Sequence, residues 1–273
     1  MFSGDPLLRR DPRMTRSRQR IRRTLCALAL LVLPVLAADA ADAPWRNARQ
    51  MILVIVPDWD ASHATLRTFA RDATQGWHSA GTDVPVVVGR AGAAWGLGLH
   101  PAQPGPQKRE GDGRSPAGVF ALGTAFGYAA SARTALRYAA LDADDWCIDV
   151  DGSPLYNRIV NAREVGAAAV AGSSEPMRRD LHADGDQRYR LGFVIESNPD
   201  AVAHRGSCIF AHVWKSADSP TAGCTAMAEP VMRALLAWLR PQDHPVFVLL
   251  PRQEYRRLRS AWHLPHIAAA NDP

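Results

Sequence analysis

Two side chains, His212 and Cys224, stand twelve positions apart in a segment whose composition suits nucleophilic catalysis. A free thiol with a pKa of ~8.5 is mostly protonated near neutrality, so a nucleophilic cysteine needs a base beside it. His212 can be that base. It ends the β-rich stretch Ser207 to Val213, and a polar loop containing Pro220 leads from there to Thr221-Ala222-Gly223-Cys224. Gly223 has no Cβ, which lets backbone N–H groups approach a carbon under attack. The amides of Gly223, Cys224 or Thr225 are therefore candidate oxyanion donors. A helix expected to open at Glu229-Pro230 would add a weak positive field if its start faces the site. The chemistry implied is acyl transfer through a thioester.

Two other readings use the same residues. A buried cysteine and a hydrogen-bonded core histidine arise at this spacing without any catalytic purpose. Alternatively, His204, Cys208, His212 and Cys224 could be read as four zinc ligands. On a strand, at ~3.3 Å per residue, Cys208 and His212 lie roughly 13 Å apart and cannot meet on one ion. Ile209, Phe210 and Val213 favour strand over helix here, so no metal and no other cofactor is expected.

The segment resembles the signature of the L,D-transpeptidase (YkuD) family, a histidine, a spacer and then Ser/Thr-x-Gly-Cys. Here those positions are His212, Thr221, Gly223 and Cys224. Upstream, Ser115-Pro116-Ala117-Gly118-Val119-Phe120 is similar to the family's Thr/Ser-Pro-x-Gly-x-Phe hairpin, and it follows Lys108-Arg109-Glu110-Gly111-Asp112-Gly113-Arg114. Trp95-Gly96-Leu97-Gly98 and Tyr156-Asn157-Arg158 are similar to segments of a secreted branch. The resemblance covers most of Met51 to Pro251.

The resemblance implies a mainly β, YkuD-like sandwich or barrel with a few helices. It also implies an exported enzyme of cell-wall biogenesis, in which Cys224 attacks a peptidoglycan stem tetrapeptide at the L-centre of diaminopimelate and expels D-alanine. His212 would take the thiol proton and then serve the leaving and incoming amines. A neighbouring stem as acceptor gives a cross-link, a lipoprotein amine gives wall attachment, and water gives an L,D-carboxypeptidase. Thr221, Gly223, Thr225, Asn157 and Arg158 are the implied substrate-binding positions. The family often carries Arg or Asn two residues after the cysteine, where Ala226 stands here, so Arg158 or Arg205 would have to supply that polar group. A silent wall-binding module is the rival implied by the same departure.

The elements that must position these residues are mostly short strands: Met51 to Val56, Val84 to Gly89, Ala117 to Leu122, Trp146 to Val150, Arg190 to Glu196, Ser207 to Val213 and Val246 to Leu250. Gly111-Asp112-Gly113 reads as a hairpin turn, not a phosphate loop, because no Gly-Lys-Ser/Thr ending or helix follows. Two helices are expected. Ser62 would cap one with Leu66, Phe69 and Ala73 on a face, and Glu229-Pro230 would open the other, with Val231, Leu235 and Trp238, before Pro241. Ala167 to Ser174 reads as a small-residue loop, and residues 252–273 as a helical, basic tail with a frayed end. Trp59, Trp77, Trp95 and Trp238 read as core or core edge.

Composition places the chain among ordinary globular proteins, with 47% hydrophobic and 22% charged residues. Its net charge of +5 is concentrated at the N-terminus, where eight arginines and four aspartates precede residue 44. The remainder carries 24 basic against 23 acidic residues, so its net charge asks for no nucleic acid. Residues 1–43 read as a signal peptide: an Arg-rich start, an apolar run from Leu25 to Leu36 and small residues up to Ala43. That run is shorter than the ~20 residues of a membrane span, so no stable span and a periplasmic or secreted chain are expected. Loss of this leader removes Cys26 and leaves Cys147, Cys208 and Cys224 in an oxidising compartment. Three is odd, and the expected solution is a Cys147–Cys208 disulfide with Cys224 free.

Overall fold

A computed structural model describes residues 43–72 and 76–267, so the leader, up to residue 42, and the expected helical position Ala73 lie outside the described residues. The chain is mainly β. It opens with β1 (Gln50–Val56), β2 (His63–Ala70), β3 (His78–Ser79), β4 (Val84–Val87), β5 (Ala93–Trp95), β6 (Ser115–Gly127) and β7 (Tyr138–Ala140). A small excursion follows, with β8 (Asp145–Cys147), β9 (Ile159–Asn161), α1 (Ala162–Val165), α2 (Ala167–Val170), β10 (Glu175–Pro176) and α3 (Arg179–His182). The chain then returns through β11 (Leu191–Ile195), β12 (Phe210–Val213), β13 (Thr225–Met227), α4 (Glu229–Trp238), β14 (Val246–Pro251) and α5 (Arg252–Leu258).

Eight strands close a ring in the order β1, β14, β6, β11, β12, β13, β4, β2, and the antiparallel β1–β2 pair completes it. Closure leaves those eight strands no free edge, which disposes of the pairing hazard of open sheets. β1 and β14 are parallel neighbours buried along their whole length. Their unbroken apolar runs fit burial on both faces: barrel interior on one side, α5 on the other. Met51, Trp95, Phe120, Phe193 and Phe247 are all essentially without solvent contact. β6 is long enough to serve two neighbours, pairing with β14 at Gly118–Ala121 and with β11 at Leu122–Gly127.

Four expectations need correction. The helix expected from Ser62 is β2, because Ala64 and Leu66 turn inward in alternation and both flanks of the segment are paired, to β1 and to β4. Ladder hydrogen bonds on two sides outweigh the helical spacing of Leu66, Phe69 and Ala73. Ala167 to Ser174 is not a plain loop, since its first four residues wind into α2. Residues 252–267 begin as a helix, α5, as expected, but they pack into the main core, where Tyr255, Leu258, Trp262 and Leu264 are buried and Tyr255 Oη donates to Pro265 O at 2.7 Å. The strand expected from Ser207 begins only at Phe210, because Cys208 adopts a left-handed φ of 55° that breaks any ladder.

α4 forms where Glu229-Pro230 predicted it, although its buried face is Met232, Leu235 and Leu236, with Val231 and Trp238 at the margin. No helix among the described residues is long and apolar enough to cross a membrane.

Candidate active site

β12 and β13 are parallel neighbours with Ala211 opposite Thr225 and His212 opposite Ala226. Alternation along each strand therefore directs Phe210, His212 and Ala226, with Cys224 just before β13, to one face. His212 and Cys224 sit one strand across and two residues along, roughly 8 Å between backbone positions. An imidazole and a thiol can close that gap. Both are buried, His212 to 2% and Cys224 to 8% exposure.

His212 Nδ1 lies 2.8 Å from Val213 O. A carbonyl can only accept, so Nδ1 carries the proton and Nε2 holds the lone pair a base requires. The Tyr189 ring meets the imidazole edge-on, centroids 5.1 Å apart, and fixes its plane. The Cys224 thiol accepts from Phe210 N at 3.3 Å and faces Cys208 O at 3.5 Å. Among the described residues no hydrogen bond joins Sγ to the imidazole. Activation thus requires a rotation of the thiol from the Cys208 carbonyl toward Nε2.

Electrostatics agree with a resting neutral pair. Burial pushes the Cys224 thiol up to about 12, and the Glu175 carboxylate adds to the shift. Burial pushes His212 down to about 4 against the weaker opposing pull of the Val213 carbonyl. Unliganded Cys224 is therefore expected to alkylate slowly, at a rate that climbs through the alkaline range without a neutral plateau. A plateau between acid and neutral pH in an iodoacetamide titration would mean a preformed thiolate–imidazolium pair instead. The folded imidazole titrates below its unfolded value, so the unfolded chain binds more protons in between. The stability it contributes is complete above the ordinary histidine range and is lost as pH falls toward about 4.

The cysteine loop is held from beneath. Ser115, fully buried at the start of β6, accepts from Gly89 N at 2.9 Å and lies 2.7 Å from Gly223 O and 3.0 Å from Cys224 O. Thr221 Oγ1 donates to Cys224 O at 2.6 Å and accepts from Gly223 N at 3.1 Å. That bond withdraws Gly223 from the oxyanion candidates, and Thr225 belongs to the ladder opposite Ala211, which leaves the Cys224 amide of the three. Gly223 matters for packing too, since an added Cβ would stand 3.1 Å from Arg114 O. Ser115→Ala would strand the Gly89 amide and the Gly223 carbonyl. Buried unsatisfied groups cost about 1–3 kcal/mol each, so urea denaturation should show a loss of about 2 kcal/mol or more, with slower turnover. An unchanged midpoint would sink this role for the hydroxyl.

The excursion between β7 and β11 forms a cap. Its sheet runs β10, β8, β9, and a Cys147–Cys208 disulfide, Cα atoms 5.9 Å apart, ties β8 to the approach to β12. Cys224 is the free cysteine of the described residues, as expected. With Cys208 bonded to sulfur, the four-ligand zinc set is incomplete. Phe126, Cys147, Met177, Tyr189, Phe210 and Cys224 form a second apolar cluster under this cap.

The substrate positions implied by the resemblance fare unevenly. A cavity of about 170 Å³ opens onto Cys224 and Gly223 and is walled by Arg90, Lys108, Glu110, Asp149 and Glu175 among others. Thr221 and Thr225 are buried in the framework. Asn157 is a clamp: its Nδ2 donates to Ser197 O and Asn198 O at 2.9 and 2.8 Å, and its Oδ1 accepts from Cys208 N at 2.8 Å. It holds Cys208 in its left-handed conformation, spends both amide hydrogens on the chain, and does not line the cavity. Arg158 is exposed and Arg205 reaches Gln107 Oε1 at 3.4 Å; neither lines the cavity. Tyr156 hydrogen-bonds Glu110, joining cap to hairpin.

Sequence reasoning missed Tyr189, Glu175 and Arg90. The Tyr189 hydroxyl lies beside both the Cys224 thiol and the Glu175 carboxylate, and Glu175 pairs with Arg179 at 3.0 Å. No local pattern marks these positions, because the cap brings Tyr189 and Glu175, and the segment after β4 brings Arg90, to the site from far along the chain. In comparisons with known proteins, no family model matches this chain and no curated protein is significantly similar to it.

Proposed function

We propose that this chain is an exported cysteine acyltransferase of the L,D-transpeptidase type, acting on peptidoglycan stem peptides through an acyl-enzyme on Cys224. The observation that carries the reading is a free thiol that opens to a polar cavity and shares one barrel face with a buried histidine of fixed tautomer. The resemblance of His212 and Thr221-Ala222-Gly223-Cys224 to the family signature supplies the substrate class. Substrate entry would turn the thiol from Cys208 O to His212 Nε2, which accepts the proton as Sγ bonds to the carbonyl carbon. Charge on the carbonyl oxygen would be met by the Cys224 amide. Collapse expels the amine, which takes the proton from His212, and an incoming amine or water reverses the sequence.

Mass spectrometry of the chain with a disaccharide-tetrapeptide under conditions that leave the cap disulfide intact tests this reading. Loss of D-alanine with dimeric product is the expected result. Tripeptide alone would indicate the carboxypeptidase, and an unchanged substrate would overturn the reading. A second reading, a silent wall-binding module, is favoured by one observation: the resting thiol addresses Cys208 O and not His212. Labelling by a carbapenem separates the two, because an active Cys224 forms a covalent adduct and a silent module stays unmodified.

A further inference from the structure

Five charged side chains wall the cavity at Cys224, and four are satisfied within the fold. Lys108 pairs with Asp112; Glu110 accepts from Tyr156 and, at 2.7 Å, from Ser207 Oγ; Asp149 accepts from Ser174 N at 2.9 Å; Glu175 pairs with Arg179. Arg90 is the exception. Among the described residues its guanidinium has neither ion pair nor hydrogen bond, although its backbone is anchored beside the cysteine loop by Arg90 N donating to Thr221 O at 2.8 Å. The side chain lies along Gly113 of the hairpin turn, where φ is +69° and an added Cβ would stand 3.2 Å from Arg90 Cγ, Nε and Cζ. The fold thus lays a free cation over the mouth of a cavity whose other charges are spoken for.

We infer that Arg90 is a specificity-determining residue that binds a free carboxylate on the acyl donor, next to the carbonyl attacked by Cys224. A planar guanidinium with unused donors matches a carboxylate in two parallel hydrogen bonds, and the partnered carboxylates on the other walls repel an anion from every other seat. Arg90 fills the role that Arg158 and Arg205 do not. The inference deepens the transpeptidase reading and rests on it for the identity of the donor. On a stem tetrapeptide the carboxylate has two sources, the C-terminus of the leaving residue and the diaminopimelate side chain.

The first arm of the test does not depend on the natural reaction. Cys224 displaces iodide from iodoacetate or from iodoacetamide, reagents alike but for the negative charge. The ratio of the two rates should fall roughly tenfold in Arg90→Gln and be only partly kept in Arg90→Lys, which retains the charge without the planar fork, with the iodoacetamide rate and the thermal midpoint unchanged in both. An equal ratio in wild type and Arg90→Gln overturns the inference, whatever the chain's substrate. The second arm compares KM for tetrapeptides amidated at the C-terminus or on the side chain. The amide that abolishes the Arg90→Gln effect identifies the carboxylate; an effect that survives both amides also overturns it. Turnover of stem peptides without an Arg90 effect would leave the transpeptidase reading standing and remove only Arg90.

Discussion

Cys224→Ala is expected to abolish peptide turnover and carbapenem labelling, a loss on the order of 10⁴-fold or more, while the fold persists. The asymmetry between activity and stability follows from the thiol's surroundings. Its hydrogen bonds are long, 3.3 Å from Phe210 N and 3.5 Å to Cys208 O, and alanine removes one buried atom at the edge of a cavity. A small destabilisation, about 1 kcal/mol, is the corresponding expectation for so small a truncation. His212→Gln should fall short of the cysteine variant, at about 10²–10⁴-fold, because a residual thiolate can still react without a positioned base. Retained turnover in Cys224→Ala, measured by release of D-alanine, would refute the nucleophile. Unfolding of the variant, visible by circular dichroism, would assign the residue a packing role instead.

The second large effect concerns the cap. Its disulfide spans 61 residues, and a loop of that size corresponds to roughly 4 kcal/mol in the chain-entropy description of cross-linking. The bond also holds Cys208, which carries the carbonyl facing the nucleophile and a left-handed backbone secured only by Asn157 besides. Paired Cys147→Ser and Cys208→Ser substitutions should therefore lower the thermal midpoint and release the segment around β8 to β10 before the barrel melts. Hydrogen exchange resolved by peptide would register this as lost protection over the cap with protection kept in β1, β6 and β14. Turnover should fall with the cap, because Asp149, Ser174 and Glu175 line the cavity from that side. Uniform loss of protection across barrel and cap would show that the disulfide supports the whole fold and not this excursion.

The difference between the two effects separates what is local from what is not. His212 and Cys224 were legible because their types, spacing and flanks form one continuous segment, whose two ends a parallel strand pair sets side by side. The disulfide was legible for a different reason, parity: once the expected leader takes Cys26 away, three cysteines allow at most one pair. The strands at Met51–Val56 and Val246–Leu250 announced themselves as unbroken apolar runs, and both lie in the ring. β2 was misread because Leu66 and Phe69, three apart, share a helix face, whereas on the strand they lie on opposite faces, both buried, as only its two neighbours decide.

Length, apolar runs, cysteine parity and the histidine–cysteine segment were thus determined by the sequence alone, since each depends on residues near one another or on simple counting. Tertiary structure decided which charges are free. Arg90 and Lys108 are alike on paper, yet Lys108 is buried against Asp112 and Arg90 is left facing the cavity. It also decided that Asn157 clamps the chain instead of binding a ligand, and that Tyr189 and Glu175 stand at the thiol. Partnership among polar groups is set by which distant segments meet, and barrel closure with its stapled cap brings those segments together only once the chain has folded.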